Sequence, residues 1–351
     1  MAAGMDRSNK AATRMGRRSA TRDGGGRGAR DGRNGKGDRG GSVRNGGSGR
    51  TMMRRAGRGA SARGRMPWLR AWRTAGVRGR VAIVVTGAVA VVVAMALVLA
   101  LVRVARYERL VAAARQQQEA LTVEYDFDPG NIISDAQFFD ADAMSVGEVQ
   151  TFLDDKGAAC SGDRCLKAMT FDVPASDADG LCSAIAAAGA QSAAQVIDTA
   201  AHACGISERV LLTLMQKEQH LVTANPPSDW NYQAAMGLSC PDDADCDPQY
   251  AGFVNQVIGA ARRFRYYLAN EGRYRFRTGR VNAIAYHPNA SCGTGNVFIE
   301  NDATRLLYIY TPYQPNAAAL RAGTGTGDAC SSYGNRNFAI IYTGWFGDPR
   351  A

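Results

Sequence analysis

Twenty-two consecutive residues, 81–102, carry no charged side chain, and this run divides the chain more sharply than any motif in it. As a helix it would extend about 33 Å, against a bilayer hydrocarbon core of roughly 30 Å. The two sides of the run differ. Residues 1–80 hold 22 Lys and Arg against 4 Asp, a net of +18, which leaves −8 for the rest of the chain. The cysteines, Cys160, Cys165, Cys182, Cys204, Cys240, Cys246, Cys292 and Cys330, all follow it. A single membrane span with its basic side in the cytoplasm and its cysteine-bearing side outside the cell accounts for both asymmetries. Arg103, Arg106, Tyr107 and Arg109 stand where a cleavable signal would need small residues, so the run reads as an uncleaved anchor.

The chain divides accordingly. Residues 1–80, rich in Gly, Arg and Ser and nearly without large apolar side chains before Met66, read as a disordered basic cytoplasmic tail. Arg-Gly clusters can bind RNA, but stacking aromatics are missing until Trp68 and Trp72, so no nucleic-acid partner is expected. Residues 103–124 are strong helix formers and read as a stalk. A turn-rich boundary at 126–130 opens a small exported segment, 125–190, in which Ser145 and Glu148 form a capping box ahead of Val149, Phe152 and Leu153.

From residue 191 to 351 the pattern is mostly helical. The helices expected are 193–204, closed by Gly205; one around Glu218; one carrying the stripe Phe253, Val257, Ile258, Ala261, Phe264, Leu268; and shorter ones at 303–308 and 337–346. Between the second and third lies a long polar loop with Cys240 and Cys246, in keeping with a binding loop. Short spacings pair Cys160 with Cys165 and Cys240 with Cys246, leaving Cys182 with Cys204 and Cys292 with Cys330. There is no Cys-x-x-Cys and no histidine cluster, so neither a metal nor another cofactor is expected.

One helix breaks its own pattern. Leu211, Leu214, Met215, Glu218 and Val222 share a face, which puts a carboxylate where a hydrophobe belongs. Ser207 stands as the cap and Glu208 in the first turn, while Arg209, Gln216, Lys217 and Gln219 fall toward the wet side. Lys217, one residue from Glu218, diverges from its face. Two readings follow. Glu218 is either a rim acid paired with an arginine from elsewhere, or a half-buried general acid whose pKa is raised by desolvation.

The segments GISERVLL (205–212) with Glu218, AMGL (235–238), AIAYHPN (283–289) and GTGNV (293–297) together resemble the lysozyme-like fold of soluble lytic transglycosylases. Residues 125–348 are similar over their length to exported actinobacterial proteins that carry such a module, some labelled hemagglutinin-like. The resemblance implies a mostly α, disulfide-bonded, lysozyme-like domain over 191–351 behind the anchor. It implies peptidoglycan glycan strands as the partner and Glu218 as the single catalytic acid and base. Tyr286 carries over to the glycan groove, and Trp230, Tyr232, Tyr310, Tyr313, Gln314 and Asn316 are candidates to stack on sugars or hydrogen-bond to them.

Three motifs depart from that family: Glu218 is followed by Gln219, Gly237-Leu238 by Ser239-Cys240, and Tyr286 by His287-Pro288. A hydrolase would need a second carboxylate, for which Asp229, Asp242, Asp243, Asp245 and Asp247 are available. A peptidase built on His202 and Cys204 is disfavoured, because positions two apart on a helix face away from each other. The alternatives are a membrane-anchored enzyme cleaving β-1,4 glycan strands and a non-catalytic glycan-binding or adhesion module on the same fold.

Overall fold

The computed structural model describes residues 67–240 and 246–351. Most of the basic tail, 1–66, and the loop acids Asp242, Asp243 and Asp245 lie outside the described residues. The chain divides into two units at Val98/Leu99.

In the first unit α1 (Pro67–Thr74) precedes α2 (Val77–Tyr125). Among the described residues α2 is the one helix long and apolar enough to cross a membrane, and it contains the whole run 81–102. Val81, Val92 and Leu97 are 58%, 60% and 60% exposed among the described residues. By length and composition the belt could serve as a membrane anchor.

The second unit begins with the later turns of α2, which are docked and not a free stalk. Ala114 and Gln118, four apart on one face, are buried. Gln118 Oε1 accepts the Phe298 N–H at 2.7 Å, and the Arg115 guanidinium lies 4.2 Å from the Phe298 ring centroid. There follow α3 (Asp135–Phe138) and α4 (Val146–Lys156), the latter opened by the expected Ser145–Glu148 capping box. Strands β1 (Thr170–Val173) and β2 (Ala188–Ser192) form a short antiparallel pair that the helical reading did not include.

Helix α5 (Ala193–Cys204) ends at Gly205, whose φ of 62° is the left-handed turn that glycine adopts without strain. Helix α6 (Glu208–Gln219), α7 (Asp229–Gln233) and α8 (Phe253–Ala269) follow. Phe253, Val257, Ala260, Ala261 and Phe264 are the buried stripe of α8, at the spacing a one-sided helix requires. Next come the antiparallel hairpin β3 (Arg280–Ala285) and β4 (Thr294–Ile299), in register from Arg280↔Ile299 to Ala285↔Thr294. Helices α9 (Asp302–Tyr310), α10 (Ala317–Arg321) and α11 (Gly334–Phe346) complete the unit. Helices α11 and α5 pack directly on α6, and α8, α4 and α9 build outward from there, so that α6 lies within the core.

That enclosure corrects the one-sided reading of α6. Every residue from Val210 to Met215 is fully buried, so the helix has no wet side over those turns. Removing one such leucine side chain from water contributes roughly 1.5–3 kcal/mol, which outweighs the polar cost of threading Thr213 and Gln216 into the same helix. Those two are satisfied internally: Thr213 Oγ1 donates to the Arg209 carbonyl at 2.7 Å, and Gln216 Nε2 donates to Thr223 Oγ1 at 2.8 Å. Ser207 occupies the cap position but makes no capping bond, and its hydroxyl is buried without a partner.

The four disulfides join Cys160–Cys165, Cys182–Cys204, Cys240–Cys246 and Cys292–Cys330, the pairing that the spacings suggest.

Candidate functional site

Glu218 is the penultimate residue of α6, just before His220 turns into the left-handed conformation at φ 53° and the chain leaves the core. Its side chain is 25% exposed, so it looks out from the buried helix at the surface. Here the structure corrects the expectation for Lys217. The lysine's flexible stem curls back at the helix end, and Nζ lies 2.5 Å from Glu218 Oε1 although the side chain is only 5% exposed. The same ammonium donates to Thr311 Oγ1 at 3.0 Å and stands 5.6 Å from the Tyr310 ring centroid. The partner of Glu218 is thus its own neighbour and not a distant arginine.

The other carboxylate oxygen meets the loop after α7. Gly237 has φ 66°, and a Cβ built there would stand 3.1 Å from Glu218 Oε2 and 3.2 Å from Cδ. Glycine suits the left-handed backbone here, and a Cβ would press against the Glu218 carboxyl group. The loop is held by Gln256 of α8, which is fully buried. Its Oε1 accepts the N–H groups of Met236 and Leu238, each at 3.0 Å, and its Nε2 donates to the Leu238 and Tyr250 carbonyls. Gly237→Ala should cost about 1–2 kcal/mol from the left-handed backbone alone, with further loss from crowding Oε2. Chemical denaturation of the chain in detergent measures it, and an unchanged midpoint would contradict the close approach.

Tyr310, at the end of α9, forms the wall behind the carboxylate. Its ring stacks on Phe264 with centroids 5.0 Å apart, and its hydroxyl donates to the Met236 carbonyl. Burial first, and the nearby Glu218 carboxylate second, hold its phenol well above the ordinary tyrosine range. Tyr310 acts here as a neutral hydrogen-bond donor.

The remaining sequence candidates separate into inner and outer groups. Tyr232 is buried, donates to the Arg164 carbonyl at 2.6 Å and has its phenol pushed up to about 12 by burial. Gln314 is buried and donates to the carbonyls of Ile284 at 2.8 Å and Gly295 at 3.1 Å, fastening the hairpin. Asn316 caps α10 through Ala319 N–H and binds Asp328 and Ser331. These three side chains and Tyr310 are committed to the fold.

Trp230 is 43% exposed on α7, and Asn231 of that helix donates to the Gln219 carbonyl at 3.0 Å, which ties α7 to the helix end beside Glu218. Tyr286 is half-buried at the end of β3, where a Cβ at Gly295 would collide with its hydroxyl, and Ser332 Oγ donates to its carbonyl at 2.6 Å. Tyr313 is also half-buried, its carbonyl accepting from Asn335 Nδ2 at 2.9 Å.

The rival chemistries fare differently. Cys204 is oxidised to Cys182, which removes the thiol that a His202 peptidase would need. Asp229 is highly exposed and pairs with Arg164 at 2.5 Å, and Asp247 accepts the Gln249 N–H at 3.0 Å. What sequence reasoning missed is Lys217 as the partner and Gln256 as the clamp. A lone glutamine in an apolar helix stripe was the one available sign of the latter.

The family model described as LasA, N-terminal domain, matches residues 131–351, and the match is to that family and not to a lysozyme-like one. No curated protein and no solved structure matches the chain. The matched stretch covers well over half of the sequence and runs from α3 through the Glu218 region to the end, so the chain belongs to the LasA N-terminal domain family.

Proposed function

We propose that the chain is a membrane-anchored protein acting on peptidoglycan outside the cell, cleaving β-1,4 glycan strands with Glu218 as its single catalytic carboxylate. Its family takes its name from a secreted staphylolytic peptidase, which supports a role at the cell wall. The observation that carries the glycan reading is the convergence of two separated motifs on one atom: Gly237 lies bare against Oε2 of Glu218, a surface carboxylate at the end of a buried helix.

In this reading Glu218 protonates the leaving glycosidic oxygen. It then takes a proton from the sugar's own 6-hydroxyl as that oxygen closes an anhydro ring, the lytic transglycosylase outcome. Lys217 and Tyr310 fix the carboxylate's position, and Trp230, Tyr286 and Tyr313 are the aromatic groups left to face sugar rings. The second reading, a non-catalytic glycan-binding module, is favoured by the Lys217 contact, which engages Oε1 with an ammonium. Incubating the full chain in detergent with purified peptidoglycan separates the two: clearing with release of soluble fragments supports the enzyme, and binding without release supports the module.

The proposed topology has residues 1–80 in the cytoplasm, 81–102 across the membrane, and the exported part as a segment over 125–190 followed by the domain 191–351. Protease added to intact protoplasts should remove the exported part. Protection of that part would reverse the orientation.

A further inference from the structure

We infer that Asp198, His202 and Glu208 form a binding site for one divalent transition-metal cation of the zinc class, at the junction of α5 and α6. The inference is independent of the glycan reading. Asp198 and His202 are four apart on α5, Glu208 is the first residue of α6, and one ligand atom from each lies within 4.8 Å of the others. One edge of the cluster has the length that a coordination sphere would give. Two ligands bound to zinc at about 2.0–2.1 Å in a tetrahedron stand about 3.4 Å apart, and His202 Nδ1 is 3.4 Å from Asp198 Oδ1. The other ring nitrogen, Nε2, lies 3.1 Å from Asp142 Oδ1, the outer carboxylate that commonly orients a metal-bound histidine.

A second, independent observation points to a ligand. Glu208 is fully buried, its Oε2 accepts the Met144 N–H at 3.3 Å, and its Oε1 has no partner. An enclosed ionised carboxylate oxygen demands either a proton or a cation.

Among the charged groups around the site, Asp142, Asp198 and Glu208 are acidic. Arg209, next along α6, is engaged by the Ala143 carbonyl at 3.1 Å and lies near the Phe346 ring. His202 is 49% exposed and leaves an approach from solvent. Its Nδ1 also lies 3.0 Å from the Asp198 carbonyl, a contact that metal binding would replace. One imidazole with carboxylates suits Zn²⁺ better than Ca²⁺ or Mg²⁺, which take all-oxygen sites. A bound cation would pin the start of the helix whose far end carries Glu218.

The full chain in detergent, stripped with EDTA and titrated calorimetrically with ZnCl₂, should take one Zn²⁺. Co²⁺ in its place should give the absorption bands of a low-symmetry site. His202→Gln and Asp198→Asn should each weaken Zn²⁺ binding at least about tenfold, while His220→Gln and His287→Gln leave it unchanged. His202 is half exposed, so its replacement should keep the fold, which circular dichroism checks. Absence of saturable binding, or binding that His202→Gln and Asp198→Asn leave within about twofold, overturns the site.

Discussion

Glu218→Gln should lower the release of soluble fragments from peptidoglycan by at least about 10²-fold, while far-ultraviolet circular dichroism and the unfolding midpoint stay close to the parent's. The substitution keeps the shape of the side chain, its hydrogen-bonding reach toward Lys217 and its approach to Gly237. It removes the carboxyl proton that the proposed mechanism requires. Asp229→Asn and Asp247→Asn should each cost less than about threefold, because one carboxylate is held by Arg164 and the other by its own turn. A larger loss at either aspartate than at Glu218 would move the chemistry into the loop and make a two-carboxylate hydrolase the better account.

The second large effect concerns the Cys292–Cys330 bond. It spans 38 residues and ties the turn between β3 and β4 to the segment leading into α11. On a chain-entropy basis, closing a loop of that length is worth about 4 kcal/mol, against about 2 kcal/mol for the five-residue span of Cys160–Cys165. Replacing Cys292 and Cys330 together by Ser should therefore lower the denaturation midpoint clearly more than the corresponding Cys160 and Cys165 pair. Equal shifts, or the reverse order, would show that native packing and not loop closure decides the contribution.

Much of the helical frame was legible because its signals are local. Gly205 closes α5, Ser145 and Glu148 box the start of α4, and the stripe of α8 repeats at helical spacing through Phe253, Val257, Ala261 and Phe264. The hairpins were not legible. β3 places Asn282 inward with Ile284, so the expected alternation of apolar and polar residues is broken, and the inward asparagine is satisfied by the Arg277 backbone.

The candidate site was legible as a carboxylate out of place and a glycine out of place, but their meeting depends on Gln256, thirty-eight positions from Glu218, whose role is set by tertiary contacts alone. Lys217 escaped the helix-face rule because that rule concerns Cβ directions, and a four-carbon stem near a helix end can override it. Tyr232, Tyr310 and Trp230 look alike in the sequence, and only tertiary contacts separate the two tyrosines, whose hydroxyls are bonded to backbone carbonyls, from the tryptophan that stays exposed. Glu208 read as an ordinary first-turn acid. Its burial arises because α6 is enclosed on all sides, which periodicity over one face did not reveal.

The central claim, that Glu218 works alone on a glycan strand, is tested most directly by the chemistry of the ends it leaves. Fragments released from peptidoglycan by the full chain, separated and weighed by mass spectrometry without prior reduction, should end in anhydro sugars and should be missing from the Glu218→Gln digest. Ordinary reducing ends in the parent's products, or undiminished anhydro ends from Glu218→Gln, would contradict it.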